Sequence, residues 1–475
     1  MEQPRSASVL AQYPQPDTAR LSAALAAEAN ANQRKIIVLD DDPTGVQTVH
    51  DIFVYTDWSI ESLRKGFAAP EKLFFILTNS RGFTAAETTK AHIEIAEHVD
   101  QVAREFGMDY LIISRGDSTL RGHYPLETDL LRQVAEKKGG FAMDGEILCP
   151  YFKEGGRFTL DNVHYVRYGD ELVPCGQTEF AKDETFGYTS SNLCDYIEEK
   201  TAGKFRAGDV TCISLESLRA LDFDGIEAQL LAVHDFGKVV VNAVEDCDVQ
   251  AFAVALYRAM AKGRHFTIRC AAALVKAIGN ISSQPLLSRK QMVTLKSSAG
   301  GIIVVGSHTK KTTAQLEELK NVPGIEFIEM DSDKVLLPGA LEQEAASIIE
   351  RCAQLIQQGA TCCVSTKRTV LTLPDDTPEA ALVRSVAISD ALQSCVGKLP
   401  VTPAFVVAKG GITSSDVGVK ALRVQCARVL GQIRPGIPVW QTGPESLFPG
   451  TPYVIFPGNV GEVSTLREAV EILLG

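Results

Sequence analysis

Three carboxylates in a row, Asp40-Asp41-Asp42, stand directly behind the apolar run IIVL and are followed by Pro43-Thr44-Gly45. Adjacent like charges are unfavourable unless a cation, a ligand hydroxyl or a basic partner compensates them, so the triplet asks for more than the turn or helix cap that a single Asp would make. Asp117-Ser118-Thr119-Leu120-Arg121-Gly122 comes shortly after LIIS, and Asn79-Ser80-Arg81 follows LFFILT. Carboxylates accept hydrogen bonds from hydroxyls, and a guanidinium can hold a carboxylate through two parallel bonds. The set therefore suits a small hydroxylated acid. Asp42 or Asp117 would take the proton of an attacking hydroxyl, while Arg81 and Arg121 would hold the carboxylate or hydroxyls.

A second set has different chemistry. Gly306-Ser307-His308-Thr309 follows IIVV, Lys409-Gly410-Gly411-Ile412-Thr413-Ser414 continues FVVA, and Gly458-Asn459-Val460-Gly461 comes after YVIFP. Each alone is compatible with a strand exit or an N-cap. Together they suit a nucleotide, because glycines let backbone N–H groups approach phosphate closely. A hydroxylated acid and a nucleotide are the two ligands of a small-molecule kinase. His50, His123, His164 and His308 lie near these motifs, but lone histidines are more often structural, and none is given a catalytic role.

The elements that must present these residues are short apolar runs alternating with helical stretches, the pattern of parallel sheets covered by helices. The first series comprises Lys35 to Leu39, Ile52 to Thr56, Leu73 to Thr78, Leu111 to Ser114, Val210 to Leu215 and Lys238 to Val244. The second comprises Ile302 to Val305, Glu326 to Met330, Cys362 to Ser365, Phe405 to Ala408, Ile437 to Trp440 and Tyr453 to Phe456. The motifs sit at the carboxyl ends of these runs, where open α/β sheets bind ligands. A Ser-rich stretch after Gly279 separates the series. The expectation is an α/β protein of two domains, each a mainly parallel sheet flanked by helices, with the active site in the interdomain cleft: an N-terminal helical extension over 1–33, an acid-binding domain over 34–285 and a nucleotide-binding domain over 286–475. Residues 138–187, rich in Gly, Pro and aromatics, read as long loops.

A net charge of −12 argues against nucleic acid or an anionic membrane as a partner. The eleven cysteines form no CxxC pair, which fits a reduced chain without a disulfide framework or a zinc site. With no basic and apolar leader and no long apolar span, the expectation is a cytoplasmic protein; homo-oligomerisation is left open.

In order and spacing, these motifs resemble the signatures of the four-carbon acid sugar kinases. Asp41-Asp42-Pro43-Thr44-Gly45 is similar to that family's Asp-Asp-x-Thr-Gly, and Asp117 to Gly122 matches its Asp-Ser-Thr-Leu-Arg-Gly. Gly155-Gly156-Arg157 with Thr159 resembles its Gly-Gly-Arg-x-Thr, Gly410 to Ser414 its Gly-Gly-acid-Thr-Ser, and Gly458 to Gly461 its terminal Gly-Asn-Phe-Gly. The resemblance runs from about residue 35 to the C-terminus. It implies an N-terminal domain that binds the sugar acid through Asp41, Thr44, Arg81, Ser118, Arg121 and Arg157, and a C-terminal domain that binds ATP through Ser307, Lys409, Gly410, Gly411, Ile412, Thr413, Ser414, Gly458, Asn459 and Gly461. The reaction implied is phosphorylation of the terminal hydroxyl of threonate, erythronate or a 3-oxo-tetronate, with Mg2+ entering on the ATP phosphates and no metal site of the protein's own.

Ile412 stands where the family carries an acid, Asn242 where an Asp is common, His123 where Asn is usual, and Arg115-Gly116 replaces part of a basic pair. The chain has neither G-x-x-x-x-G-K-[ST] nor G-x-G-x-x-G, which removes a P-loop enzyme and weakens a dehydrogenase. Two rivals stay open: an Mg2+-dependent aspartyl phosphatase using Asp40 and Asp42, and a catalytically silent nucleotide-binding protein.

Overall fold

The computed structural model of the chain describes residues 2–294, 297–374, 376–458 and 460–475. The chain forms two compact units that interleave in sequence. The first comprises the residues up to Gly45 together with Asp57–Ser283, and the second comprises Val46–Thr56 together with Gln284–Gly475.

The first unit is built on a parallel sheet. Its strands lie in the order Thr211–Ile213, Gly237–Val241, Gly145–Cys149, Phe266–Cys270, Tyr110–Arg115, Lys35–Asp40, Leu73–Leu77. Every residue of Lys35–Asp40 and of Leu73–Leu77 is buried, as strands covered by helices on both faces require. Lys35 tolerates this because its ammonium donates to the carbonyls of Ala69 at 2.7 Å and Glu71 at 2.6 Å. The covering helix Ala85–Phe106 starts at a capping box between Thr84 and Glu87 and stops at Gly107, whose φ of 61° lies in the left-handed region that favours glycine. Helix Thr18–Ala31, capped by Asp17, buries Leu21, Leu25 and Ala29 along one face, and Glu28 accepts from Arg258 Nε at 2.8 Å. That arginine lies on helix Asp246–Ala261.

Residues 138–187 are more ordered than their composition predicts. They hold the inner strand Gly145–Cys149 and an antiparallel meander of Arg157–Leu160, Val163–Tyr168 and Glu171–Pro174, edged by Arg5–Ser6. The inner strand escaped notice because it carries a charge: Glu146 is buried and accepts from Lys238 Nζ at 2.6 Å and Tyr124 Oη at 2.9 Å. Paired this way, a carboxylate can sit inside a sheet.

In the second unit the strand order is Ile52–Tyr55, Cys426–Arg434, Ile437–Thr442, Pro452–Phe456, Val406–Lys409, Ile302–Val305, Thr361–Thr366, Ile325–Met330. The first three junctions are antiparallel and the rest parallel. Ile52–Tyr55, which local pattern placed in the first series, pairs here with Cys426–Arg434, a partner nearly four hundred residues away that no local signal reveals. The core joins Ile303, Val305, Val407, Val454 and Phe456 to Leu466, Val470 and Leu473 of helix Thr465–Leu474. Both units are thus α/β, with mainly parallel sheets flanked by helices. Among the described residues no helix is long and apolar enough to cross a membrane.

Candidate active site

In the first unit the strands Tyr110–Arg115, Lys35–Asp40 and Leu73–Leu77 are neighbours, so their carboxyl-terminal loops meet. Arg81 binds Asp41 through two bonds, Nη2 to Oδ1 at 2.6 Å and Nε to Oδ2 at 3.2 Å, and its Nη1 reaches Asp42 Oδ2 at 3.1 Å. Arg115 Nη1 donates to Asp40 Oδ1 at 3.1 Å. The amide of Thr44 donates to Asp42 Oδ1 at 2.7 Å, closing the loop on itself. Arg121 Nε donates to Asp117 Oδ2 at 2.7 Å, and the Thr119 hydroxyl donates to the same oxygen, while no hydrogen bond among the described residues reaches Oδ1.

Arg81, expected to hold a substrate carboxylate, is thus occupied with the aspartates and acts as the counter-charge that lets them crowd together. Arg157, from strand Arg157–Leu160, differs: its Nε is buried without a partner, and no ion pair engages it among the described residues. Arg157 and Arg121 both lie against the Phe180 ring, 5.3 Å and 5.1 Å from its centroid. Ser118 is buried, with its carbonyl accepting from His164 Nε2 at 2.8 Å.

The charges sort the aspartates. Burial pushes the Asp40 carboxyl up to about 7, with Arg115 opposing and Asp41 and Asp42 adding to the rise. Burial also acts on Asp42, but Arg81 and the Thr44 hydroxyl and amide outweigh it and hold that carboxyl below its ordinary value. At Asp117, burial is overcome by Arg121 and Arg81, and the carboxyl lies far below the usual carboxylate range. His164, also buried, drops to about 4 and is neutral at pH 7.

Beneath these loops lies a network that motif reading missed. Arg269, near the end of Phe266–Cys270, donates through Nη1 to Ser114 Oγ at 2.8 Å and to Glu127, and Ser80 Oγ donates to Glu127 Oε1 at 2.7 Å. All four residues are buried. Arg269 also explains Gly116: a Cβ there would stand 2.2 Å from the guanidinium carbon. Asn242 has a comparable reason. Its amide nitrogen donates to Ile213 O at 2.9 Å and Asn162 Oδ1 at 2.8 Å, and its oxygen accepts from Asn162 N at 2.7 Å, so an Asp could not make the two donations. His123 donates through Nε2 to Phe83 O at 2.9 Å and meets Phe186 edge to face.

The second unit gathers its glycine and hydroxyl motifs in the same manner, at the ends of the adjacent strands Ile302–Val305, Val406–Lys409 and Pro452–Phe456. Ser307 Oγ accepts from Thr312 Oγ1 at 3.0 Å, and Thr312 Oγ1 also lies 3.3 Å from the carbonyl of Gly458. Gly410 has φ 121°, and a Cβ on it would stand 3.1 Å from that of Ser307. Gly411, Ile412, Thr413 and Ser414 form the short helix Gly411–Asp416; Ile412 projects outward, 75% exposed, while Ser414 is buried and donates to Ala408 O at 3.0 Å. Gly461, at φ 83°, closes against Thr465.

Lys409, expected to meet phosphate, is turned into the protein. It is fully buried, and its ammonium donates to Pro457 O at 2.6 Å and Gly458 O at 3.2 Å, with burial lowering it to about 7. Gln315 completes the support by donating to Val460 O at 3.2 Å and Glu462 O at 2.9 Å. Its signal was the helical spacing from Thr312, three residues earlier on helix Lys310–Leu319. Asn459 lies outside the described residues. Among the described residues no group of His, Cys, Asp and Glu is arranged to hold a metal ion.

A unit whose loops are acidic and basic, and another whose loops are glycine and hydroxyl, define a protein that takes a polar small molecule and a nucleotide. The matching family models carry the same division: a sugar-binding N-terminal domain over residues 36–278 and a nucleotide-binding C-terminal domain over 302–466. The chain belongs to the four-carbon acid sugar kinase family. It is 23% identical over 372 residues to a D-threonate kinase of Salmonella typhimurium, covering 76% of this chain and 80% of that one. A Haemophilus influenzae crystal structure matches with TM-score 0.60 at 17% identity, covering 92% of this chain and all of the other. One from Salmonella typhimurium, provisionally described there as a tRNA synthase, matches with TM-score 0.64 at 15% identity, covering 91% and 98%. These two likenesses bear on the fold.

Proposed function

We propose that the chain is an ATP-dependent kinase that phosphorylates the terminal hydroxyl of a four-carbon sugar acid of the threonate, erythronate or 3-oxo-tetronate type, giving the 4-phosphate and ADP. The observation that carries this reading is the division of chemistry between the two loop clusters. In the first, Arg157 and Arg121 flank Phe180 with hydrogen-bonding capacity to spare, which suits a substrate carboxylate. Asp41, Asp42, Thr44 and Ser118 supply the polar surroundings for hydroxyls.

Asp117 is the better-placed proton acceptor, because its Oδ1 is left unengaged while Asp42 uses both oxygens on Thr44 and Arg81. Held as carboxylates, both aspartates orient a hydroxyl for in-line attack, and phosphoryl transfer asks mainly for such positioning and for charge neutralisation. In the second cluster the backbone N–H groups of Gly411 and Gly458, with Ser307 and Thr413, offer donors to phosphate, while Gly410 N donates to Phe456 O at 2.9 Å and Lys409 holds the Gly458 loop from behind. Bound Mg2+ would neutralise charge on the ATP phosphates. The glycine and hydroxyl loops fit a metal carried by the nucleotide rather than held by protein carboxylates.

An aspartyl phosphatase would need Asp40 or Asp42 as an accessible nucleophile. Asp40 is 1% exposed, locked on Arg115 and sealed by Gly45, where a Cβ would stand 2.0 Å from Oδ1. The test is a coupled ADP-release assay with Mg-ATP against a panel of four-carbon sugar acids, beside p-nitrophenyl phosphate hydrolysis. ADP release that depends on one acid is expected; phosphatase turnover without ATP would sink the kinase reading.

A further inference from the structure

Lys367-Arg368 follows the buried strand Thr361–Thr366, the parallel neighbour of Ile302–Val305. The loop therefore emerges beside Gly306-Ser307, yet none of its residues belongs to the recognised motifs. Its two cations have different fates. Lys367 is neutralised by Asp331 Oδ1 and Asp333 Oδ2, each at 2.6 Å. Arg368 has no ion pair among the described residues. It donates through Nη2 to the carbonyl of Ser307, and through Nε to Thr313 Oγ1 at 3.4 Å, while Nη1 is buried with no hydrogen-bond partner.

An arginine stays charged at any physiological pH, so a half-buried guanidinium with one buried, unused donor and no ion pair carries an electrostatic cost. Burial does weaken its hold on the proton, with Glu329 opposing. The arrangement is relieved by an anion, and a guanidinium fork suits phosphate oxygens. Arg368 already grips the carbonyl of Ser307, whose hydroxyl is linked through Thr312 to the Gly458 carbonyl.

Resting on the kinase reading, we propose that Arg368 is a further nucleotide-binding residue of the second unit, contacting the phosphate chain of a nucleoside di- or triphosphate through its guanidinium. The strand exit at 367–368 thereby joins those at 306–309, 410–414 and 457–461 as part of the phosphate site.

The experiment is isothermal titration of the full chain and its Arg368→Gln and Arg368→Lys variants with ATP, ADP, adenosine and inorganic phosphate. Loss of a charge-assisted bond predicts ATP and ADP binding weakened at least about tenfold in Arg368→Gln, with adenosine unchanged. Arg368→Lys, which keeps the charge and loses the fork, should be weakened less than Arg368→Gln. Equal ATP affinity in wild type and Arg368→Gln would overturn the assignment, as would an equal loss for adenosine, which marks a structural role. Inorganic phosphate that binds the wild type as tightly as ADP does, and is weakened in Arg368→Gln while ADP is not, would make the site one for free phosphate and overturn the nucleotide assignment. A wild type that binds no nucleotide at all would overturn the kinase reading itself, and that failure is visible without either variant.

Discussion

Replacing Arg269 by Met leaves Glu127 as a buried carboxylate whose guanidinium partner is gone, while the loops carrying Ser80-Arg81 and Asp117-Arg121 lose their common anchor. Glu127 and Arg269 are both buried, and Glu127 would retain only the Ser80 hydroxyl at 2.7 Å and His92 Nε2 at 3.6 Å. Breaking a buried pair from one side costs about 3–5 kcal/mol, which for a unit of this size lowers the melting temperature by roughly 6–20 °C. Removing both charges in Arg269→Met/Glu127→Met should recover at least about 1 kcal/mol relative to the single variant, because no uncompensated charge is left.

The pH dependence has a definite sign. In the native protein burial raises Glu127, but Arg269 and His92 outweigh it and the carboxyl lies below its ordinary value, so its contribution to stability is present above the unfolded pKa and lost as pH falls. Without Arg269, the largest opposition to burial is gone, only weaker lowering contacts such as His92 and the Ser80 hydroxyl remain, and the folded carboxyl rises, so the deficit of the variant is largest at neutral pH and shrinks toward pH 4. Denaturant unfolding at pH 7 and pH 4.5, followed by tryptophan fluorescence and circular dichroism, reads both effects. A deficit under about 1 kcal/mol at pH 7, or one that grows on acidification, would refute the reasoning.

Other expected outcomes follow from the same geometry. Asp117→Asn should lower kcat for the responsive sugar acid by about 10²–10⁴-fold with little change in KM for ATP, measured by ADP release. Arg157→Gln should raise KM for the acid about 10- to 100-fold and leave the ATP KM alone. Asn242→Asp should destabilise the fold by about 1–3 kcal/mol in denaturant unfolding, since it removes two buried donations and brings a carboxylate toward carbonyl oxygens. Lys409 has a folded pKa near 7, below its unfolded value, so the unfolded chain binds more protons above pH 7 and stability rises with pH there. Lys409→Met should flatten that rise in melting-temperature scans from pH 7 to 9.5.

Much of the fold was legible because a parallel strand covered on both faces is a continuous apolar run, as Lys35–Asp40, Leu73–Leu77 and Ile302–Val305 are. Gly145–Cys149 and Phe266–Cys270 were not legible, because Glu146, Thr267 and Arg269 interrupt their apolar pattern with side chains whose partners come from elsewhere in the chain. The placement of Ile52–Tyr55 depended on a pairing with Cys426–Arg434 that leaves no local trace.

By itself the sequence determined the family, the α/β class and the positions of the acidic and glycine-rich loops at the strand exits, because strand exits, glycines and carboxylates are recorded in residue type and order. Tertiary structure alone decided which charges are available. Arg81 and Lys409 are engaged by Asp41, Asp42 and the carbonyls of Pro457 and Gly458, whereas Arg157 and Arg368 keep buried donors without a partner. The physical reason is that a charged group's role depends on what neutralises it, and the neutralising groups arrive from distant segments only when the sheets assemble.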